Sequence, residues 1–265
     1  MGKSIRLVVC GAAGRMGQAV LRLAAESPDL SIAAALVRPG SEPGPAAGRV
    51  DPGFAYTTAA PEDLRADVLV DFSGNTGFDA ALDLALARRL ALVSGSTGLS
   101  EAQRDVMQKA SAELPVLWAA NFSAGIAVLA HLVEQATRLL PDWDCEIIEA
   151  HHRHKRDAPS GTALMLGERA RQALDGTPGD AGPDRSGPRQ DGSIGYAVIR
   201  AGDIVGEHEV RLAGPGERVE LIHRATDRDV FARGALRAAR WLAGRNPGIH
   251  SMADVLGLSP AHDKR

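Results

Sequence analysis

The sequence predicts an α/β protein, a parallel-sheet domain into which a second, α+β domain is inserted. Three observations carry this. Short β-like and helix-like runs alternate through the first half, the pattern changes after about Asn121, and a last helix is placed to pack back on the first domain. At 265 residues the chain is too long for one small core and too short for three ordinary domains. The expected boundaries are 1–122 with 232–265, and 123–231.

Each element has its own signal. Ile5 to Cys10, Ile32 to Val37, Val68 to Phe72, Leu90 to Val93 and Val116 to Ala119 are predominantly apolar runs without alternation, as expected of strands covered on both faces by helices. Between them, Arg15 to Glu26, Phe78 to Arg89 and Glu101 to Ala112 read as helices, the last opened by a capping box from Ser100 and Gln103. A long apolar helix, Ala124 to Leu140, is then stopped by Pro141. The strand Cys145 to Ala150 runs into a histidine cluster, and a helix follows over Thr162 to Leu174. Asp175 to Gly195, dense in Gly, Pro and Asp, reads as a mobile surface loop. Tyr196 to Ala201, His208 to Leu212 and Val219 to His223 read as strands, and the last two alternate apolar and polar residues in the manner of an antiparallel sheet with one polar face. Phe231 to Ala243 is the closing helix.

Composition narrows the function. A net charge of −3, with Lys and Arg scattered, gives no footprint for nucleic acid. Two cysteines, Cys10 and Cys145, both in apolar runs, build neither a disulfide framework nor a Cys-based zinc site. With no signal-peptide pattern and no apolar run long enough to span a membrane, the expectation is a cytoplasmic protein with no membrane partner.

Between the first strand and the first helix lies Gly11-Ala12-Ala13-Gly14-Arg15-Met16-Gly17, where glycines let the backbone approach a pyrophosphate at a helix N-terminus. The placement in the first βα turn marks a Rossmann-like dinucleotide site. At the end of the second strand, where an acidic residue would bind the 2′-hydroxyl of NAD, stand Val37 and Arg38. Arg38 pairs well with a 2′-phosphate, so NADPH is the favoured cofactor and NADH the second candidate. The bland alternative is a solvated arginine opening a loop. Two further strand ends, Asp71-Phe72-Ser73-Gly74 and Ser94-Gly95-Ser96-Thr97-Gly98, leave room for the nicotinamide half, or are ordinary turn chemistry.

Glu149 to Thr162 holds His151, His152, Arg153, His154, Lys155 and Arg156. So many cations make a poor cage for another cation, and no metal is expected. Recognition and protonation of an anion fits better, since imidazole exchanges protons near neutral pH and cationic side chains bind carboxylates. Ser160-Gly161-Thr162 opens a helix and offers a second carboxylate site, so the expected ligand is a dicarboxylate. The bland alternative is a wet basic loop.

The glycine turn, Ala119-Ala120-Asn121-Phe122-Ser123, the run Glu149 to Thr162, and Arg200-Ala201-Gly202-Asp203-Ile204-Val205-Gly206-Glu207-His208 together resemble the dihydrodipicolinate reductase family over nearly the whole chain. The resemblance implies reduction of 4-hydroxy-tetrahydrodipicolinate to tetrahydrodipicolinate with loss of water, a step of lysine and diaminopimelate biosynthesis. It assigns His151 as proton donor or acceptor, Lys155 as proton donor, and His152, Gly161 and Thr162 as carboxylate ligands. It further implies cofactor contacts from Gly11, Ala12, Ala13, Gly14, Arg15 and Met16, from Arg38, from Gly95, Ser96 and Thr97, and from Ala119, Ala120, Asn121 and Phe122. By the same resemblance, 123–231 binds substrate and associates into a homotetramer. Many members carry an acidic residue where this chain has Val37, and their loops differ from Ser73-Gly74-Asn75 and Ser94-Gly95-Ser96. Domain closure about hinges near Phe122 and Phe231 is expected. Two rivals remain: a semialdehyde dehydrogenase, which needs a reactive Cys, and a non-catalytic dinucleotide sensor, which does not need the basic cluster.

Overall fold

A computed structural model describes residues 4–41, 55–174, 179–182 and 186–258. The chain divides into two compact units, Met1–Ser123 with Asp229–Arg265, and Ala124–Arg228.

The first unit is built on seven parallel strands. β1 (Ile5–Cys10), β4 (Val68–Asp71) and β5 (Ala91–Ser94) are its centre, and β4 and β5 are buried along their whole length. β2 (Leu30–Leu36) and β3 (Tyr56–Thr57) extend the sheet on one side of β1; β6 (Pro115–Trp118) and β11 (Gly248–His250) extend it beyond β5 on the other. The order β11-β6-β5-β4-β1-β2-β3 reverses direction between β1 and β4. At such a switch point the loops on either side part, and a crevice opens at the carboxyl ends of the strands.

Helices cover the sheet because each has an apolar face. α1 (Arg15–Ala25) buries Val20, Leu21, Leu23 and Ala24. α2 (Asn75–Arg88) buries Phe78, Leu82 and Ala85 in a core that also holds Leu92, Leu114 and Val116. α3 (Glu101–Ala110) begins with the predicted capping box: Ser100 Oγ accepts from the Gln103 amide at 3.2 Å, and the Gln103 side chain accepts from the Ser100 amide at 3.0 Å. α6 (Asp229–Leu242) packs small residues, Ala232, Ala235, Ala238 and Ala239, against α1 and the central strands. Gly234 belongs to this face because a Cβ there would stand 1.8 Å from the Phe122 carbonyl oxygen.

The second unit is a four-stranded sheet, β10-β9-β7-β8, under two helices. Its strands are β7 (Asp144–His151), β8 (Ile194–Arg200), β9 (Gly206–Gly214) and β10 (Glu217–Ala225). α4 (Ala124–Leu139) and α5 (Gly161–Ala173) pack Ile126, Leu129, Val133 and Leu166 on Ile147, Val210 and Leu212. β9 and β10 pair antiparallel, as their alternation predicted, but β8 runs parallel to β7 because α5 serves as the crossover between them. The face away from the helices mixes exposed Ile199 and Ile222 with an ion-pair row in which Arg211 meets Glu209 and Glu220.

The elements absent from the sequence reading are β3, β11 and α7 (Met252–Leu256), each too short to show a period. The predicted loop Asp175–Gly195 lies partly outside the described residues. Its described end is tied down: Gly179 and Ala181 exchange backbone hydrogen bonds with Ile194, and Arg189 holds Glu146, Asp144 and the Cys145 carbonyl. Ile194 and Gly195 themselves are already strand β8.

Candidate active site

In the first unit, a cavity of about 480 Å³ opens at the switch point and is lined by Gly11, Ala13, Gly14, Val37, Arg38, Phe72 and Ser73 among others. Gly11 has φ +73°, and a Cβ on it would lie 2.5 Å from the Phe72 carbonyl oxygen, so glycine lets the ends of β1 and β4 meet. Ala12 sits behind the turn: its amide donates to the Leu36 carbonyl and its carbonyl accepts from Gln18. Arg15 and Met16 form the first turn of α1. That turn fits a diphosphate well. Gly14 caps it with no side-chain hydrogen bond and no acidic residue follows, leaving amide donors and the positive end of the helix dipole for an anion. Val37 is buried and Arg38 exposed at the rim.

The other predicted cofactor residues stand on the loops after β5 and β6. Ser96 is buried and spends its hydroxyl on Asp71 at 2.7 Å, while Gly74 donates to it at 2.9 Å. Asp71, wholly buried, also accepts from Ser94 and from the Ser73 amide and hydroxyl. This carboxylate therefore clips the β4 and β5 loops together. Gly95 makes room for the Phe72 ring, Thr97 is exposed, and Ala119 donates to Ser94. Asn121 accepts from the Ser123 amide, and Phe122 is buried edge-on to Phe72 at 5.9 Å. Ser96 and Phe122 thus build the loops from within.

In the second unit the basic cluster is organised around a residue to which sequence reasoning assigned no role. Glu149, 1% exposed near the end of β7, accepts from the Ser160 amide at 2.9 Å and from both terminal nitrogens of Arg200 at 2.7 and 2.8 Å. Its Oε2 lies 2.6 Å from His151 Nδ1. Burial works against its charge, but Arg200, His151 and the Ser160 amide outweigh burial and hold the carboxyl below the ordinary range. For His151 burial is the largest influence and lowers its pKa; Glu149 pulls the other way, Lys155 and Arg200 add to the lowering, and the ring favours its neutral form. Lys155 pairs with Asp157 at 2.9 Å, and Arg200 also donates to the Asp157 carbonyl at 2.6 Å. Ser160 caps α5 through the Ala163 amide, with Gly161 exposed and Thr162 next along the first turn. His152, half-buried, faces the exposed His154 with 6.3 Å between ring centroids.

Both halves match one family. The model described as dihydrodipicolinate reductase, N-terminus, matches residues 5–122, and that described as dihydrodipicolinate reductase, C-terminus, matches residues 125–256. The chain belongs to the dihydrodipicolinate reductase family. A 4-hydroxy-tetrahydrodipicolinate reductase of Stenotrophomonas maltophilia (strain K279a) is 51% identical over 95% of this chain and 98% of its own. One of Xylella fastidiosa (strain 9a5c) is 47% identical over 97% of this chain and all of its own. Among solved structures, a dipicolinate-bound dihydrodipicolinate reductase from Paenisporosarcina sp. TG-14 shares the fold with a TM-score of 0.79, at 20% identity, over 95% of this chain and 98% of that one.

As a member of the dihydrodipicolinate reductase family the chain is a pyridine-nucleotide-dependent oxidoreductase. Thiol chemistry is disfavoured, because both cysteines are buried and burial raises them, Cys145 to about 11. His208, also without an assigned role in the sequence reading, stands edge-on to His151 at 5.1 Å and bonds Ser160 Oγ at 3.2 Å. Burial, with His151 beside it, lowers it from 6.5 to about 4. Between these values the unfolded chain takes up a proton that the folded one refuses. Stability is therefore full above pH 6.5 and falls as pH drops towards about 4. Urea unfolding should show this group removing about 3 kcal/mol across that window, and His208→Gln should flatten the slope.

Proposed function

We propose that this chain reduces 4-hydroxy-tetrahydrodipicolinate to tetrahydrodipicolinate with loss of water, in the cytoplasm, as a step of lysine and diaminopimelate biosynthesis. The observation that carries the reading is the pairing, in one chain, of an uncapped glycine-turn helix with a basic cluster at a second helix N-terminus. The solved relative that holds dipicolinate supports a ring diacid as ligand. Gly161, Thr162 and His152 hold its carboxylates, with the α5 amides supplying further donors. Gly11 to Met16, Arg38, Gly95 to Thr97 and Ala119 to Phe122 form the loops that hold the dinucleotide, with Ala12, Ser96 and Phe122 shaping those loops from behind.

When bound, the dinucleotide supplies the hydride that ends on C4 of the ring once the 4-hydroxyl has left as water. Lys155 Nζ gives the proton that completes the reduction. His151, neutral near pH 7, tunes or relays that proton through Nε2, because Nδ1 is committed to Glu149. The ion-pair row and exposed isoleucines on the open sheet face of the second unit support association of four copies through that sheet.

Adding freshly made 4-hydroxy-tetrahydrodipicolinate to enzyme and NADPH should discharge the nicotinamide absorbance. Tight NADPH binding with no turnover would instead support a sensor. NADPH is the favoured reductant because Arg38, not a carboxylate, rims the cleft. Arg38→Ala should raise KM for NADPH about tenfold or more, the loss of one charge-assisted contact, and leave KM for NADH little changed. Equal changes would remove the phosphate role.

A further inference from the structure

We infer that Glu149 and Arg200 are positioning residues that set the tautomer of His151 and tie it to the loop carrying Lys155. The inference rests on the proposed roles of His151 and Lys155 and adds what holds them in place. Glu149 is almost fully buried on the strand that bears His151, and its Oε2 approaches Nδ1 to 2.6 Å. A carboxylate only accepts, so the neutral ring must carry its proton on Nδ1 and present a bare Nε2.

Glu149 could swing if it were held at one point, but it is held at three. The Ser160 amide fixes Oε1 at 2.9 Å, and the two terminal nitrogens of Arg200 take one oxygen each at 2.7 and 2.8 Å. The same guanidinium reaches the Asp157 carbonyl at 2.6 Å, and the Asp157 side chain pairs with Lys155 at 2.9 Å. One planar cation therefore ties the end of β7 to the Lys155 loop, while the carboxylate it grips reaches the start of α5. A lysine at position 200 has no fork with which to do this. The charged or titratable groups around the His151 ring are Glu149 and His152 beside it in sequence, Lys155 on the next loop, Arg200 on β8 and His208 on β9.

The test combines spectroscopy with rates on the full-length enzyme. Ring ¹⁵N shifts of histidine-labelled protein should show His151 protonated on Nδ1, and Glu149→Gln should mix the tautomers. Glu149→Gln should also lower kcat roughly 10- to 100-fold, the lower part of the range for proton-transfer effects. Its low-pH limb of kcat should move to lower pH, because a negative charge beside the imidazole is gone while Arg200 and Lys155 remain. Arg200→Lys should keep the tautomer yet lower kcat with little change in substrate KM. An unchanged circular-dichroism spectrum in both variants shows that the fold is intact.

Wild-type His151 protonated on Nε2 would overturn the inference even if every variant failed to fold. So would a Glu149→Gln enzyme with the wild-type tautomer, rate and pH limb. A His151→Gln variant separates the two levels: normal turnover there refutes the proposed role of His151 in the reaction, whereas the tautomer measurement judges Glu149 independently.

Discussion

Replacing Lys155 by alanine lowers kcat by at least about 10²-fold, the scale of a lost general acid. Lys155 is partly buried, leans on Asp157 and belongs to the loop that Arg200 anchors, so its ammonium is held rather than free to wander. It is also the better donor of the two candidate groups. His151 is pushed towards its neutral form by burial and by the cations around it, and a neutral ring bonded through Nδ1 has an acceptor, not a proton, at Nε2. Because the ammonium also attracts a carboxylate, substrate KM should rise as well. Steady-state rates with 4-hydroxy-tetrahydrodipicolinate decide it: near-normal turnover by Lys155→Ala would take this residue out of the mechanism.

The other large effect is on stability and cofactor binding together. Gly11→Ala forces a side chain into a backbone conformation at φ +73° and drives its Cβ to 2.5 Å from the Phe72 carbonyl oxygen. The left-handed conformation costs about 1–2 kcal/mol, and pressing an atom into a packed site costs about 1–3 kcal/mol more. The collision is with backbone at the end of β4, so it can be relieved only by parting β1 from β4. Urea unfolding at constant m should show a loss of about 2–5 kcal/mol, the sum of those costs, and NADPH affinity should fall about tenfold or more because the cleft opens between those two strands. Gly14→Ala is the contrast, since its Cβ would meet only the Gly11 carbonyl oxygen at 3.2 Å. It should be the milder variant in unfolding, and equal losses would show that strand separation is not the cause.

Much of the fold was readable because its signals are local. The strands Ile5–Cys10 and Val68–Asp71 are mainly apolar, interrupted by Arg6 in the first and ended by Asp71 in the second, and the capping box at Ser100 opens its helix where expected. The parallel pairing of β8 with β7 was not readable. It depends on α5 acting as a crossover, and nothing in Ile194–Arg200 distinguishes an edge strand paired parallel from one paired antiparallel. β11 owes its place to pairing with β6 rather than to three residues of its own.

The candidate site divides in the same way. The dense run from His151 to Lys155 announces itself, and so does the glycine turn. Glu149 lies two residues before His151 in strand β7, and a carboxylate in step with the apolar Cys145 and Ile147 is a signal that could have been used. A buried acid needs partners, and an acid next to a histidine cluster is a natural one for a ring nitrogen. Arg200, distant in sequence, offers no such hint, because only the register that pairs His151 with Arg200 brings its fork to Glu149. Asp71 is similar: its four donors come from Ser73 after β4, from Ser94 at the end of β5 and from Ser96 just beyond it, and only the fold assembles them.

The claim on which the account rests is transfer of hydride from a nicotinamide to the ring of a diacid. It is tested most directly by running the reaction with NADPH deuterated at both C4 positions and weighing the product. Tetrahydrodipicolinate carrying a single deuteron on ring C4 is the predicted result. Unlabelled product, or NADPH consumed with no tetrahydrodipicolinate formed, would contradict it.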